Sequence, residues 1–209
     1  MKKESGSRTL LMSVIMSAPG PLVVGLGLIA GKSSTQIADF VRRSAELMAI
    51  IAAFVVYRIT NTAEDINTER KARLERASNL FVGAMMCLSG TIMLMLTFIV
   101  GSTEKGNVIP GLIISTLGMT ANTIFWVRYT KLSRKSGNTI LKVQSRLYRA
   151  KALVDTCVTV VLITVLLFPA AKFTAILDSI GSVIVAIYLI WCGIRTISEY
   201  KTHNTDEAV

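Results

Sequence analysis

Residues 77–101, ASNLFVGAMMCLSGTIMLMLTFIVG, run for 25 positions without a lysine, arginine, aspartate or glutamate. A helix needs about 20 predominantly apolar residues to cross the roughly 30 Å hydrocarbon core of a bilayer, so this stretch alone reads as a membrane span. Moving outward from it, comparable apolar stretches lie at 10–30, 36–57, 108–127, 149–169 and 174–197. Six spans fill most of the 209 residues. The reading is an all-α, polytopic membrane protein: an N-terminal segment at 1–9, a six-transmembrane-helix bundle at 10–197 and a short polar tail at 198–209. The first 30 residues have the basic start and apolar run of a signal peptide. That run is too long, however, and Pro19-Gly20-Pro21 interrupts it, so it counts as the first span.

Composition agrees. Hydrophobic residues make up 52% of the chain and charged ones 17%, where soluble domains carry about 25% charged residues. The net charge of +10 therefore sits on a very apolar chain, and its distribution explains it. Of the 23 lysines and arginines, 18 fall on one side of a six-span arrangement, three (Lys32, Lys105, Lys172) fall on the other, and Arg42 and Arg43 lie within the second span. This positive-inside asymmetry places both termini in the cytoplasm and favours the plasma (cytoplasmic) membrane. The segment between the fourth and fifth spans is the most basic, without one acid. Anionic lipid headgroups are its expected partners, with docking of a protein as the alternative. Aromatic residues are not interleaved with the basic ones as base stacking requires, so no nucleic acid is expected.

Soluble-enzyme chemistry finds no support. His203, the one histidine, lies in the polar tail, and Cys87, Cys157 and Cys192 lie in apolar stretches. That leaves no zinc-ligand cluster, no Ser-His-Asp or Cys-His arrangement and no glycine-rich phosphate loop. The expectation is a protein that is not an enzyme and holds no permanent cofactor.

The informative residues are ionisable groups inside spans, each costing about 2.5–3.5 kcal/mol at a helix centre on insertion scales. The second span carries Asp39, Arg42, Arg43 and Glu46, and spacings of three and four put Asp39, Arg42 and Glu46 on one face. The fifth carries Lys151 and Asp155, again four apart, and the sixth carries Asp178 near its outer end. Two readings stand side by side: static ion pairs that fix how helices meet, or a charged cavity that takes up an ion or proton. Buried pairs gain little over apolar packing, so their presence asks for a reason. Pro19 and Pro21 also have two readings, a kink that shapes a gate or cavity wall and simple packing. Gly25, Gly27 and Gly83 read as close-contact positions, and Met85, Met86, Met93 and Met95 as packing residues.

These segments resemble the membrane domain of the cation diffusion facilitator superfamily, which exports zinc and related divalent ions in exchange for protons. Ile37-Ala38-Asp39-Phe40-Val41-Arg42-Arg43-Ser44-Ala45-Glu46 is similar to the family's second-helix motif, and Arg70-Lys71-Ala72-Arg73-Leu74-Glu75 to the basic approach to its third helix. Arg149-Ala150-Lys151-Ala152-Leu153-Val154-Asp155 falls where the fifth helix has His-x-x-x-Asp, and residues 177–186 resemble the sixth helix. In the family, two ligand pairs on the second and fifth helices surround a tetrahedral ion. Those four positions read here Arg42, Glu46, Lys151 and Asp155. Two carboxylates are kept, and two ligands have become cations that donate hydrogen bonds and repel a metal. The resemblance thus implies Glu46 and Asp155 as the remaining metal ligands, with Arg42 and Lys151 standing in for the ion by satisfying those carboxylates.

Further implications are a homodimer and the lack of the family's C-terminal cytoplasmic domain. The expected function is secondary transport of a divalent metal (zinc, manganese or iron) or another cation in exchange for protons. The pathway is a cavity between the second and fifth helices, with Asp39, Arg42, Glu46, Lys151 and Asp155 along it and Arg43 and Asp178 as secondary candidates. The alternatives are transport of an anion or organic solute, and a non-transporting scaffold whose charges are static.

Overall fold

The computed structural model describes residues 2–30, 34–62, 67–100, 109–167 and 173–201. Among them the chain is helical throughout: α1 (Lys2–Ser17), α2 (Pro19–Ala30), α3 (Ser34–Thr62), α4 (Thr68–Val100), α5 (Ile109–Ser136), α6 (Thr139–Leu167) and α7 (Phe173–Lys201). Only Ala18 separates α1 from α2, so these two form one interrupted rod, and α3 to α7 correspond to the second to sixth spans. Pro19 and Pro21 have no N–H to offer the carbonyls of Ile15 and Ser17, and Pro19 disfavours helical backbone at Ala18 before it. The break thus sits where the sequence puts the prolines.

α5 packs along α6 and α4 along α7, while α3 lies between α4 and the α1–α2 rod. Close approach of α4 and α7 depends on small residues: a Cβ on Gly193 would come within 2.7 Å of the Gly83 carbonyl oxygen. The core is built from inward residues such as Leu10, Ile50, Met86, Leu147 and Leu189. The outer face is apolar as well, with Phe98, Ile114, Leu117 and Ile184 exposed. A soluble protein would bury such a surface, whereas hydrocarbon solvates it. Among the described residues two helices, over Thr68–Ile99 and Ser179–Tyr200, are each long and apolar enough to cross a membrane.

The boundary between the fourth and fifth spans differs from the sequence reading. Residues 128–148 are not a basic loop, because α5 continues to Ser136 and α6 begins at Thr139. A 28-residue helix and a 29-residue helix are each longer than 40 Å at about 1.5 Å per residue, more than the hydrocarbon core requires. Both therefore carry their basic ends past the apolar layer. Gly137 turns the chain with φ of 66°, and its N–H reaches the Ser133 carbonyl at 2.8 Å. Asn138 then caps α6, its Oδ1 accepting the Leu141 N–H at 3.2 Å.

The same end is pinned by polar contacts. Thr139 Oγ1 donates to Glu75 Oε2 at 2.9 Å, joining the turn to α4. Glu199 on α7 takes Arg146 Nη2 at 2.7 Å, Arg195 Nε at 3.2 Å and, through its other oxygen, Lys142 Nζ at 3.7 Å. The Arg146 hydrogen bond, opposed in part by burial, holds the Glu199 carboxyl below its ordinary pKa of 4.5.

Candidate cation site between α3, α5 and α6

A cavity of about 470 Å³ lies among α1, α2, α3, α5 and α6. Its walls include Arg42, Arg43, Glu46, Asn122, Lys151 and Asp155, so α3 and α6 bring five of the sequence-selected residues together. The side chains of Asp39 and Asp178 lie outside the described residues.

Glu46 is 8% exposed and has a cation at each oxygen. Arg42 Nη1 meets Oε1 at 3.1 Å, the i,i+4 contact that spacing on one helix permits. Lys151 Nζ crosses from α6 to Oε2 at 3.4 Å. Lys151 pairs with Glu46, not with Asp155 one turn along its own helix, because Asp155 faces a different partner. Asn122 Nδ2 on α5 donates to Asp155 Oδ2 at 2.6 Å. Lys151 also lies over the Tyr148 ring, 5.3 Å from its centroid, which helps hold it on the Glu46 side.

Asp155 is reached closely by α5. A Cβ on Gly118 would stand 2.9 Å from Asp155 Oδ2, so only glycine leaves the carboxylate its present place. One turn further, Thr159 Oγ1 donates to Ser115 Oγ at 3.1 Å, tying α6 to α5 again. Asn122, Gly118 and Ser115 were missed by sequence reasoning, which took its site residues from the ionisable groups. An amide in mid-span is a weaker form of the same signal, since it too needs a partner in hydrocarbon.

Toward the basic end the cavity meets a polar-aromatic floor. Tyr129 and Tyr148 are fully buried with ring centroids 5.3 Å apart, and Phe125 lies 5.2 Å from Tyr148. Their hydroxyls reach α1: Tyr129 to Ser13 Oγ at 2.7 Å and Tyr148 to Ser17 Oγ at 3.2 Å. Arg43 runs beside Gly20, just past the α1–α2 break. The break thus shapes a wall of the cavity, and both α1 serines help seat its floor.

The chemistry of the lining is that of oxygen donors. Asp155, Asn122, Ser17 and Ser115 offer carboxylate, amide and hydroxyl oxygens, and Met16 a weak thioether. Among the described residues no three of His, Cys, Asp or Glu come together as a metal cluster. Among the described residues the lining carries three cations (Arg42, Arg43, Lys151) and two carboxylates (Glu46, Asp155).

In comparison with known families, the family model of the cation efflux transmembrane domain matches residues 10–200. Comparison with curated proteins finds no match.

Proposed function

Because the chain belongs to the cation efflux transmembrane domain family and is therefore a membrane-embedded cation transporter, we propose that it exchanges a divalent metal or other cation for protons at Asp155. The carrying observation is the difference between the two carboxylates. Glu46 has both oxygens occupied by tethered cations. Asp155 has a neutral amide on Oδ2 and, among the described residues, no hydrogen bond to Oδ1. A carboxylate already neutralised twice has little to offer an incoming ion. One held by an uncharged donor keeps its charge for a proton or a metal, and competition between those two couples their movements.

The donor set bears on which cation. Carboxylate, amide and hydroxyl oxygens suit manganese and similar hard ions, while zinc prefers imidazole and thiolate. Manganese is accordingly the first choice, ahead of iron and zinc. In this reading Asn122 orients Asp155, Gly118 leaves the room for it, and the Glu46–Arg42–Lys151 group joins α3 to α6. A homodimer in the plasma membrane with cytoplasmic termini belongs to the same proposal, supported by family analogy and the lysine and arginine distribution.

A second reading rests on the three cations among the described lining residues, which suit an anion or organic solute. Flux in proteoliposomes separates the two. Purified protein under a pH gradient is expected to move manganese, and Asp155→Asn is expected to lower the rate by at least about a hundredfold, as loss of an essential group does. Metal flux that survives Asp155→Asn would overturn the assignment, and anion flux without metal flux would establish the second reading.

A further inference from the structure

On the outside of the bundle, we infer that α5 carries a binding site for one anionic phospholipid, with Arg128, Lys131 and Lys135 receiving its phosphate and Ile124 and Val127 lying against its acyl chains. These five residues line one open groove on the helix. Spacings of three and four put them on a single stripe, apolar at one end and basic at the other.

Three observations favour this occupant. The first is unspent charge. Across the α5–α6 turn Lys142 and Arg146 are taken by Glu199, whereas no described acid pairs with Arg128, Lys131 or Lys135. No aspartate or glutamate occurs between residues 128 and 151 that could serve them locally. The second is continuity. Ile124 and Val127 are exposed, and about two and three turns before Ile124 on the same face Leu117 and Ile113 are exposed as well. Cations placed directly above a hydrocarbon-facing stripe match an amphiphile with a charged head, and an acidic soluble protein would leave the apolar half unused. The third is rigidity. Because α5 stays helical to Ser136, its cations project from a helix closed by Gly137 and do not move with a loop. Arginine and lysine there can address one phosphate at fixed spacing.

The test uses the full chain, delipidated in detergent and titrated with phosphatidylglycerol or phosphatidylcholine, with retained lipid read by native mass spectrometry. One phosphatidylglycerol is expected to be held in preference to phosphatidylcholine. Arg128→Gln/Lys131→Gln/Lys135→Gln should weaken that binding by about fivefold per cation removed. The control Arg70→Gln/Lys71→Gln/Arg73→Gln removes the same charge from the same end of the bundle, at the start of α4, and should keep the binding. Equal loss in both variants would mean a diffuse electrostatic attraction, and equal retention of the two lipids would mean no headgroup site. Either result overturns the inference, as does competition by inorganic phosphate alone at matched concentration. All three α5 side chains are exposed, so their replacement leaves the core untouched.

Discussion

Replacing Asn122 with alanine leaves the charge of Asp155 in place but removes the donor that aims it, 2.6 Å away. Partners that orient a ligand are worth about 10–100-fold in metal affinity. Asn122→Ala should therefore raise the metal concentration for half-maximal flux by about that factor, with a smaller change in maximal rate. Glu46 calls for a different experiment. Glu46→Gln removes the negative charge that Arg42 and Lys151 share at the cavity, and the added net positive charge should repel a divalent ion. Glu46→Gln/Lys151→Gln removes one charge of each sign, and much of the flux lost in the single variant should return. If the double variant is as inactive as the single one, Glu46 itself binds the transported ion. A double-mutant cycle on flux isolates this coupling.

At the scale of elements, the polar clasp of Glu199 holds the ends of α6 and α7 together outside the apolar layer. Its carboxyl titrates below 4.5 in the folded chain, chiefly through the Arg146 hydrogen bond. Folding is thus favoured by this group at any pH above its ordinary value. The contribution fades as pH falls through that value and then through the lower folded one. Thermal melting in detergent between about pH 5 and 3 should show a steeper loss of stability for the natural chain than for Glu199→Gln, which starts lower and declines less. Identical slopes would mean that the clasp adds nothing measurable. The α1–α2 break belongs to this scale too. Both readings of Pro19 and Pro21 hold in part, since Pro21 is buried in packing and Gly20 and Pro21 also line the cavity.

For the whole molecule the charge asymmetry makes a topological statement. The α5–α6 turn at Gly137 and Asn138 lies on the side that carries 18 of the 23 lysines and arginines. A cysteine placed at Ser136, in a chain lacking Cys87, Cys157 and Cys192, should react with a membrane-impermeant maleimide in inside-out vesicles and be protected in right-side-out ones. The opposite pattern would reverse the orientation read from the positive-inside rule.

Apolar runs, basic ends and prolines are local facts of the chain, and they determined the helical membrane architecture, the broken first helix and the family. Hydrocarbon leaves backbone polar groups no partner but each other, so a run of such residues has little choice but to be a helix. The same locality made Arg42, Glu46, Lys151 and Asp155 visible as charges that need company. Which company they keep was decided only in three dimensions. Helix packing sends Lys151 across to Glu46, and Gly118, where α5 comes close to Asp155, leaves room for Asn122 to reach that carboxylate. A spacing of four allows a contact along one helix, but the lower free energy of a partner on a neighbouring helix takes precedence where packing brings it within reach.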